Sequence, residues 1–188
     1  MASDRRPLLL SASFALVLSA PVALAATENF GARAELRASS GKRYSAEVTI
    51  SIERTATNEE KDAVFAAIRS GDEKKIRKAL EALPSVGYID RGRSKLPIKF
   101  AVSRPMGAGK TFVMLSDEPL IYIGGEVPDV EPKPGFGLAW FLLTVDADGK
   151  GTGEIAPAAT VRVREDGSVA VAEYGADVID LEDVARQK

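Results

Sequence analysis

The feature that most constrains this chain is an alternation of apolar and polar residues over Tyr44–Arg54. One set of alternate positions is entirely apolar or aromatic: Tyr44, Ala46, Val48, Ile50 and Ile52. Because side chains alternate between the two faces of a β-strand, this period of two predicts a half-buried antiparallel strand. A shorter strand over Ala32–Ala38 is expected to pair with it across Ser39–Lys42.

The period changes directly after this strand. Thr57 and Glu60 have the T-x-x-E spacing of a capping box, and apolar residues follow them at helical spacing. The pattern predicts a helical hairpin over about 58–83. Its first helix ends at Ser70–Gly71, and Pro84 stops the second because proline cannot continue a helix.

The rest of the chain predicts short strands separated by turns. The segments are Val86–Arg91, Leu96–Ser103, Lys110–Leu115, Leu120–Ile123, Leu138–Val145, Thr152–Ile155, Thr160–Arg164, Ser168–Glu173 and Val178–Val184. Leu138–Val145 is almost continuously apolar, which predicts a central strand covered on both faces. Since turns, not helices, separate the strands, we expect antiparallel pairing. The predicted fold class is α+β and mostly β: an antiparallel β-sandwich or partly open barrel with one inserted helical hairpin.

Residues 1–25 have the parts of a secretory signal peptide. Two arginines precede an apolar stretch over Leu8–Leu18, and Ala23-Leu24-Ala25 is an A-x-A cleavage site. The apolar stretch is too short to span a bilayer as a helix, which takes about 20 residues. We therefore expect residues 26–188 to form a single globular β-rich domain, with no transmembrane segment after cleavage. The expected location is outside the cytoplasm, periplasmic or secreted.

Composition removes several classes of catalytic site. The chain has no Cys and no His, which excludes His general bases, Cys–His nucleophile pairs, Cys/His zinc sites and disulfides. Its 25 basic residues nearly balance its 27 acidic ones, which argues against nucleic-acid binding. We assign no cofactor, no metal and no catalytic residue, and an enzyme is the less favoured interpretation.

Three short motifs resemble known sites but lack what the chemistry needs. Met106–Thr111 ends in G-K-T, but Arg104 stands where a phosphate-binding loop has its first glycine, and a predicted strand follows it. Ser39–Lys42 is an S-x-x-K without the companion motifs of penicillin-binding enzymes. Asp146-x-Asp148 lacks the later oxygen ligands of a calcium loop. We interpret all three as turns, although a bare Ser–Lys pair stays open.

Carboxylates near the C-terminus provide the alternative function. The cluster consists of Asp177, Asp180, Glu182 and Asp183. Paired carboxylates can hydrolyse glycosides, but such a cluster is more typical of a solvated strand edge. A small exported hydrolase using carboxylates or a Ser–Lys pair is therefore the second hypothesis.

The first hypothesis rests on aromatic residues and one long loop. Candidate ligand-binding residues are Tyr88, Tyr122, Phe136 and Trp140. The last two lie at and just beyond the end of Gly124–Gly137, a Pro- and Gly-rich segment, and long loops in compact domains are often functional. We expect an apolar concavity under this loop. The predicted function is a non-enzymatic exported binding module of the bacterial envelope, whose ligand is a small molecule, a peptide or an envelope protein.

Short motifs along the whole chain after the predicted cleavage site carry a family resemblance. They are Glu28-Asn29-Phe30, Val86-Gly87-Tyr88-Ile89, Asp117-Glu118-Pro119-Leu120, Gly149-Lys150-Gly151-Thr152-Gly153 and Glu173-Tyr174-Gly175. On these motifs the chain resembles a group of predicted exported bacterial proteins of unknown function. The resemblance implies an exported single-domain protein, and it implies no catalytic residues because the group has no known activity.

Overall fold

The computed structural model describes residues 27–37 and 41–187, so the predicted signal peptide lies outside it. The elements are β1 (Glu28–Arg37), β2 (Arg43–Ile52), α1 (Asn58–Arg69), α2 (Glu73–Glu81), β3 (Gly87–Asp90), β4 (Lys95–Ile98), β5 (Phe100–Met106), β6 (Gly109–Ser116), β7 (Leu138–Val145), β8 (Lys150–Val163), β9 (Val169–Tyr174) and β10 (Ile179–Gln187). The strands form one antiparallel sheet in the order β4-β3-β2-β1-β10-β8-β7-β6-β5, and β9 lies off this path and pairs with β8. This nearly closed sheet with two helices confirms the predicted fold class.

The alternating segment forms β2, as its period of two predicts. It pairs with β1 in a hairpin whose register puts Leu36 opposite Tyr44 and Phe30 opposite Ile50. The apolar side chains of both strands, among them Ala32, Val48 and Ile50, are buried in the first of two hydrophobic cores. The polar alternate positions lie on the other face of the hairpin.

The helical hairpin is also confirmed. Thr57 Oγ1 accepts from the backbone N–H of Glu60 at 3.2 Å, and Glu60 Oε2 accepts from that of Thr57 at 2.8 Å, which completes the capping box. α1 buries Val64 and Ile68, and α2 buries the apolar side chains on one of its faces. These side chains share the second core with residues of the sheet, so the two helices pack on the outer face of the sheet. Among the described residues, no helix is long and apolar enough to cross a membrane.

β7 is an inner strand with apolar residues on both faces, as predicted, but its outer face is covered only in part, because Leu142 and Thr144 stay partly exposed. Ala139, Phe141 and Leu143 belong to the first core, inside the sheet. Leu138 and Trp140 belong to the second core, which the outer face forms with the helices. The continuous apolar run in the sequence therefore reflects two separate cores on the two sides of one strand.

The sheet forks along β8. The first half of this strand pairs with β10, as Ile155 does with Ile179. The second half turns away and pairs with β9, as Ala159 does with Tyr174. The register against β7 shifts in between, at a β-bulge that contains Pro157; a bulge bends a strand and tolerates a proline, which cannot donate to the ladder.

Two other predictions differ from the structure, besides Thr152–Ile155 and Thr160–Arg164, which were predicted as separate strands but both belong to β8. Leu96–Ser103 is not one strand but two, because the ladder breaks at Lys99, whose N–H donates to Leu115 O. The break puts Ile98 in the first core and Phe100 in the second, where an unbroken strand would place both on one face. Leu120–Ile123 is not a strand but an irregular connection that buries Leu120 and Ile123 and exposes Ile121, and in it Leu120 N–H donates to the carbonyl of Pro157 in the β8 bulge.

Candidate functional site

A groove opens on the outer face of the sheet, beside the area that the helices cover. Its floor consists of Val113 of β6 with Trp140 and Leu142 of β7. Its two walls are formed by Arg104–Met106 of β5 and Val169–Val171 of β9. We call this the Trp140 groove. Its volume is about 570 Å³, within the usual range of small-molecule pockets.

Trp140 carries a polar group that the fold leaves unpaired. The residue is 6% exposed, and its indole Nε1 is buried with no hydrogen-bond partner in the described part of the chain. Its neighbours across the ladders are Leu115 and Ala156, which offer no side-chain acceptor. An unpaired buried N–H costs about 1–3 kcal/mol. A bound molecule would recover that free energy by bringing an acceptor, which requires the ring to turn its N–H towards the groove, because the atom is closed to solvent in this structure.

A tyrosine and a glutamate form a polar pair in the Trp140 groove. Tyr174 Oη donates to Glu154 Oε1 at 3.1 Å. Glu154 lies opposite Leu142 in the ladder, which puts its carboxylate on the same face as the apolar floor. Partial burial, followed by the hydrogen bond and charge of Glu154, raises the pKa of Tyr174. The phenol therefore stays neutral and donates at physiological pH.

An ion pair joins the two walls at one end of the groove. Arg104 Nη1 lies 3.0 Å from Asp166 Oδ2, and Nη2 donates to the Asp166 carbonyl at 2.6 Å. The Ser168 hydroxyl and backbone N–H also donate to this carboxylate. The hydrogen bonds from Ser168, and then those from Arg104, lower the pKa of Asp166 from 3.8 to about 2. Asp166 in the β8–β9 turn therefore stays ionised and stays bonded to Arg104 of β5.

Of the four predicted aromatic residues, Trp140 alone is among the residues that line this groove. Tyr88 is half-buried on β3, and Tyr122 is half-buried in the connection between β6 and β7. Phe136 packs over Gly175, where any Cβ would overlap its ring. The described contacts therefore do not bring the four side chains to one ligand surface.

The long Pro- and Gly-rich loop borders a different cavity, also of about 570 Å³. Loop residues Pro128–Glu131 line it together with Leu36 and Tyr44 of the β1–β2 hairpin. Its lining is more polar, with three carboxylates, at Asp129, Glu131 and Asp177. We call it the loop cavity, and we rank it below the Trp140 groove, whose floor is apolar.

The C-terminal carboxylates lie in an exposed ion-pair network. Arg33 Nη2 lies 2.7 Å from Glu182 Oε2 and 3.0 Å from Asp183 Oδ2, and the other two carboxylates are exposed. The serines of the candidate Ser–Lys pair lie outside the described residues. Within the described ranges, no group of three or more acidic side chains could hold a metal ion.

Sequence reasoning missed Tyr174, Glu154 and the wall formed by β9. The apolar residues on the outer face of β7 could have indicated the floor of the groove, since the two predicted helices are too short to cover that face completely. The wall could not be found in this way, because it depends on which strands meet. Arg104 and Asp166, for example, are 62 positions apart in the chain.

No protein-family model, curated protein or solved structure matched this chain on comparison. The resemblance to exported proteins of unknown function stays a prediction from the sequence. The function must therefore be argued from the site itself.

Proposed function

We propose that the chain is a non-enzymatic binding module that takes an apolar ligand into the Trp140 groove. The observation that carries this proposal is the apolar floor of Val113, Trp140 and Leu142, which includes a buried, unpaired indole N–H. Apolar lining with a few fixed polar groups is the usual composition of a ligand site.

The other polar groups of the groove favour binding over hydrolysis. Asp166 is held by Ser168 and Arg104, and Glu154 accepts from Tyr174. Each carboxylate is thus engaged with a fixed donor, and the chain has no His or Cys to activate a nucleophile. Fixed donors and acceptors of this kind orient a ligand.

We infer that the ligand is met outside the cytoplasm. The predicted signal peptide over residues 1–25 supports a periplasmic or secreted location. The near balance of basic and acidic residues makes nucleic acid an unsuitable partner. The remaining candidate ligands are a small molecule, a peptide and an envelope protein.

Fluorescence tests the proposal directly because Trp140 is the single tryptophan of the chain. We expect N-phenyl-1-naphthylamine, an uncharged apolar dye, to bind the purified protein saturably and to quench Trp140 emission. Leu142→Lys places a charged side chain on the groove floor, opposite Glu154, and should weaken dye binding at least about tenfold, since an apolar occupant would have to displace the water around that charge.

Tyr44→Ala is the matched control, because Tyr44 lines the loop cavity. It should leave the dye affinity unchanged, with circular dichroism showing that both variants are folded. Loss of dye binding in Tyr44→Ala, with normal binding in Leu142→Lys, would move the site to the loop cavity and overturn the proposal.

A further inference from the structure

We propose that the ligand of the Trp140 groove is a single-chain amphipathic anion, with its apolar chain on the floor and its anionic head group on Arg164. This inference rests on the proposed function, because it names the chemical class that the same groove binds. The chemistry is that of a fatty acid, or of a lipid with one chain and a phosphate. The assignment depends on which polar groups of the groove lack a partner.

Most polar side chains of the groove already have partners within the protein. The bonded pairs are Arg104–Asp166, Ser168–Asp166, Tyr174–Glu154 and Thr111–Thr144. Among the described residues, two lining side chains have neither a hydrogen-bond nor an ion-pair partner: Trp140 and Arg164. An indole N–H and a guanidinium donate hydrogen bonds and cannot accept them. The groove therefore suits a ligand that brings acceptors.

Arg164 is the donor that a ligand reaches first. It follows the end of β8 in the turn to β9, and it is exposed, whereas Trp140 Nε1 is closed to solvent in this structure. The charge of Arg164 also acts on the phenol of Tyr174, where it opposes the rise in pKa. The positive charge of Arg164 therefore acts within the groove as well as on the outside of the turn.

The charges that line the groove favour an anion at Arg164. Two arginines, Arg104 and Arg164, and two carboxylates, Glu154 and Asp166, line it. Arg104 and Asp166 form an ion pair with each other, and Glu154 is bonded to the neutral phenol of Tyr174. A guanidinium binds carboxylates and phosphates through paired N–H bonds. We therefore place the head group at Arg164, in the turn, and not beside Glu154.

The floor determines the other half of the ligand. Val113, Trp140 and Leu142 form an apolar surface that meets the wall of Val169–Val171. An alkyl chain on this surface leaves water without losing any hydrogen bond, and the hydrophobic effect favours that transfer. The chain thus supplies affinity and the head group supplies specificity, so separate substitutions can remove each contribution.

The test compares ligands that share one alkyl chain and differ in the head group. Decanoate represents a fatty acid, decyl phosphate represents a lipid phosphate, and decanol is the uncharged reference. Each is titrated, below the concentration at which it self-associates, into protein that carries N-phenyl-1-naphthylamine. Displacement of the dye gives the affinity, and the anion-to-decanol ratio isolates the contribution of the head group.

Arg164→Gln removes the charge and keeps a polar side chain. It should lower the anion-to-decanol ratio about three- to fivefold for at least one anion, the effect of an ion pair that stays partly open to water. The anion that loses more identifies the head group. Glu154→Gln should raise the ratio, because it removes a like charge from the groove.

Arg162→Gln is the matched control. Arg162 is an exposed arginine two positions before Arg164 and is not among the residues that line the groove. The substitution changes the net charge of the protein by the same amount, and it should leave the ratio unchanged. Circular dichroism checks that all three variants are folded.

The outcomes separate this inference from the proposed function. If the dye binds but no alkyl ligand displaces it, or if Arg164→Gln leaves both ratios unchanged, the groove remains a binding site and the inference is wrong. An equal loss in Arg162→Gln would also overturn it, because net charge and not position would then explain the effect. If neither the dye nor any alkyl ligand binds, both proposals fail.

Discussion

At the scale of single residues, Trp140 is the most informative position. Its ring belongs to both the floor of the groove and the second core, yet its N–H has no acceptor among the described residues. A polar group that is buried and unpaired reduces stability and calls for a functional reason. The groove supplies one.

We predict that Trp140→Phe costs little stability. Loss of packing around the smaller ring is offset because the unpaired donor, worth about 1–3 kcal/mol, is removed. Phe112→Leu is the comparison, since Phe112 is fully buried and has no polar atom whose removal could compensate. Urea unfolding should show a smaller loss for Trp140→Phe. An equal or larger loss would mean that the indole N–H is satisfied in the native protein.

Tyr174 should respond to its partner in the groove. Glu154→Gln is expected to lower the pKa of Tyr174, but not to its usual value, because burial is the larger cause of the shift and remains. Ring signals of labelled tyrosine, followed by NMR through alkaline pH, measure this, and Glu173→Gln serves as the control. Since the pKa is raised in the folded protein, this tyrosine stabilises the fold at neutral pH, and the contribution is lost as pH rises above 10.

The sequence identified Trp140 as a candidate but for a reason that the structure does not support. The prediction grouped it with Phe136 because the two are close in the chain. In the fold, Phe136 packs over Gly175, while Trp140 faces Leu142, Val113 and the β9 wall. Proximity in sequence does not fix which side of a strand a residue faces.

At the scale of elements, local signals predicted what local interactions decide. The alternation of β2 and the capping box of α1 need only neighbouring residues, and both are confirmed. The break at Lys99 and the buried connection at Leu120 depend on bonds to Leu115 and to the β8 bulge. Those partners lie far along the chain, so no local pattern contained them.

The capping box gives a prediction for α1. Thr57→Ala removes the side-chain acceptor for the Glu60 N–H and should cost about 1 kcal/mol. Thr55→Ala is the matched control, because Thr55 is exposed just before the helix and lies outside the capping box. Chemical denaturation of the two variants measures the difference. Equal stabilities would mean that the cap does not support the helical hairpin in solution.

The β8–β9 turn gives a prediction in acid. Ser168→Ala should raise the pKa of Asp166 more than Arg104→Gln does, because the hydrogen bond from the Ser168 hydroxyl is the largest cause of the shift; the backbone N–H of residue 168 still donates in this variant. Because this pKa lies below its usual value, the carboxylate stabilises the turn above pH 3.8, and the contribution is lost as pH falls towards 2. NMR titration of the Asp166 carboxyl checks the order, and a larger effect of Arg104→Gln would contradict it.

At the scale of the whole molecule, the fork in β8 creates the site. The strand contributes its first half to the nearly closed sheet and its second half to the hairpin with β9. β7 consequently has apolar residues on both faces, and the two helices cover part of the outer one. The uncovered part, bounded by β5 and β9, is the Trp140 groove.

The fold class and most of the strands and helices could be predicted from the sequence, but the fork in β8 could not. Pro157 suggested an interruption between two strands, whereas the structure keeps one continuous strand with a bulge. The choice between interruption and bend is made by β9 and β10, which compete for the same edge of β8. Such long-range pairing is the part of the fold that pattern and propensity do not contain.

Native mass spectrometry of the protein isolated from the cells that produce it tests the central claim most directly. We predict a mass above that of the polypeptide, which disappears on denaturation and is absent in Leu142→Lys but retained in Tyr44→Ala. The released molecule should have an apolar part that fits the floor of Val113, Trp140 and Leu142. A polypeptide mass with no excess, or an excess that Leu142→Lys retains, would contradict the assignment of the Trp140 groove as the binding site.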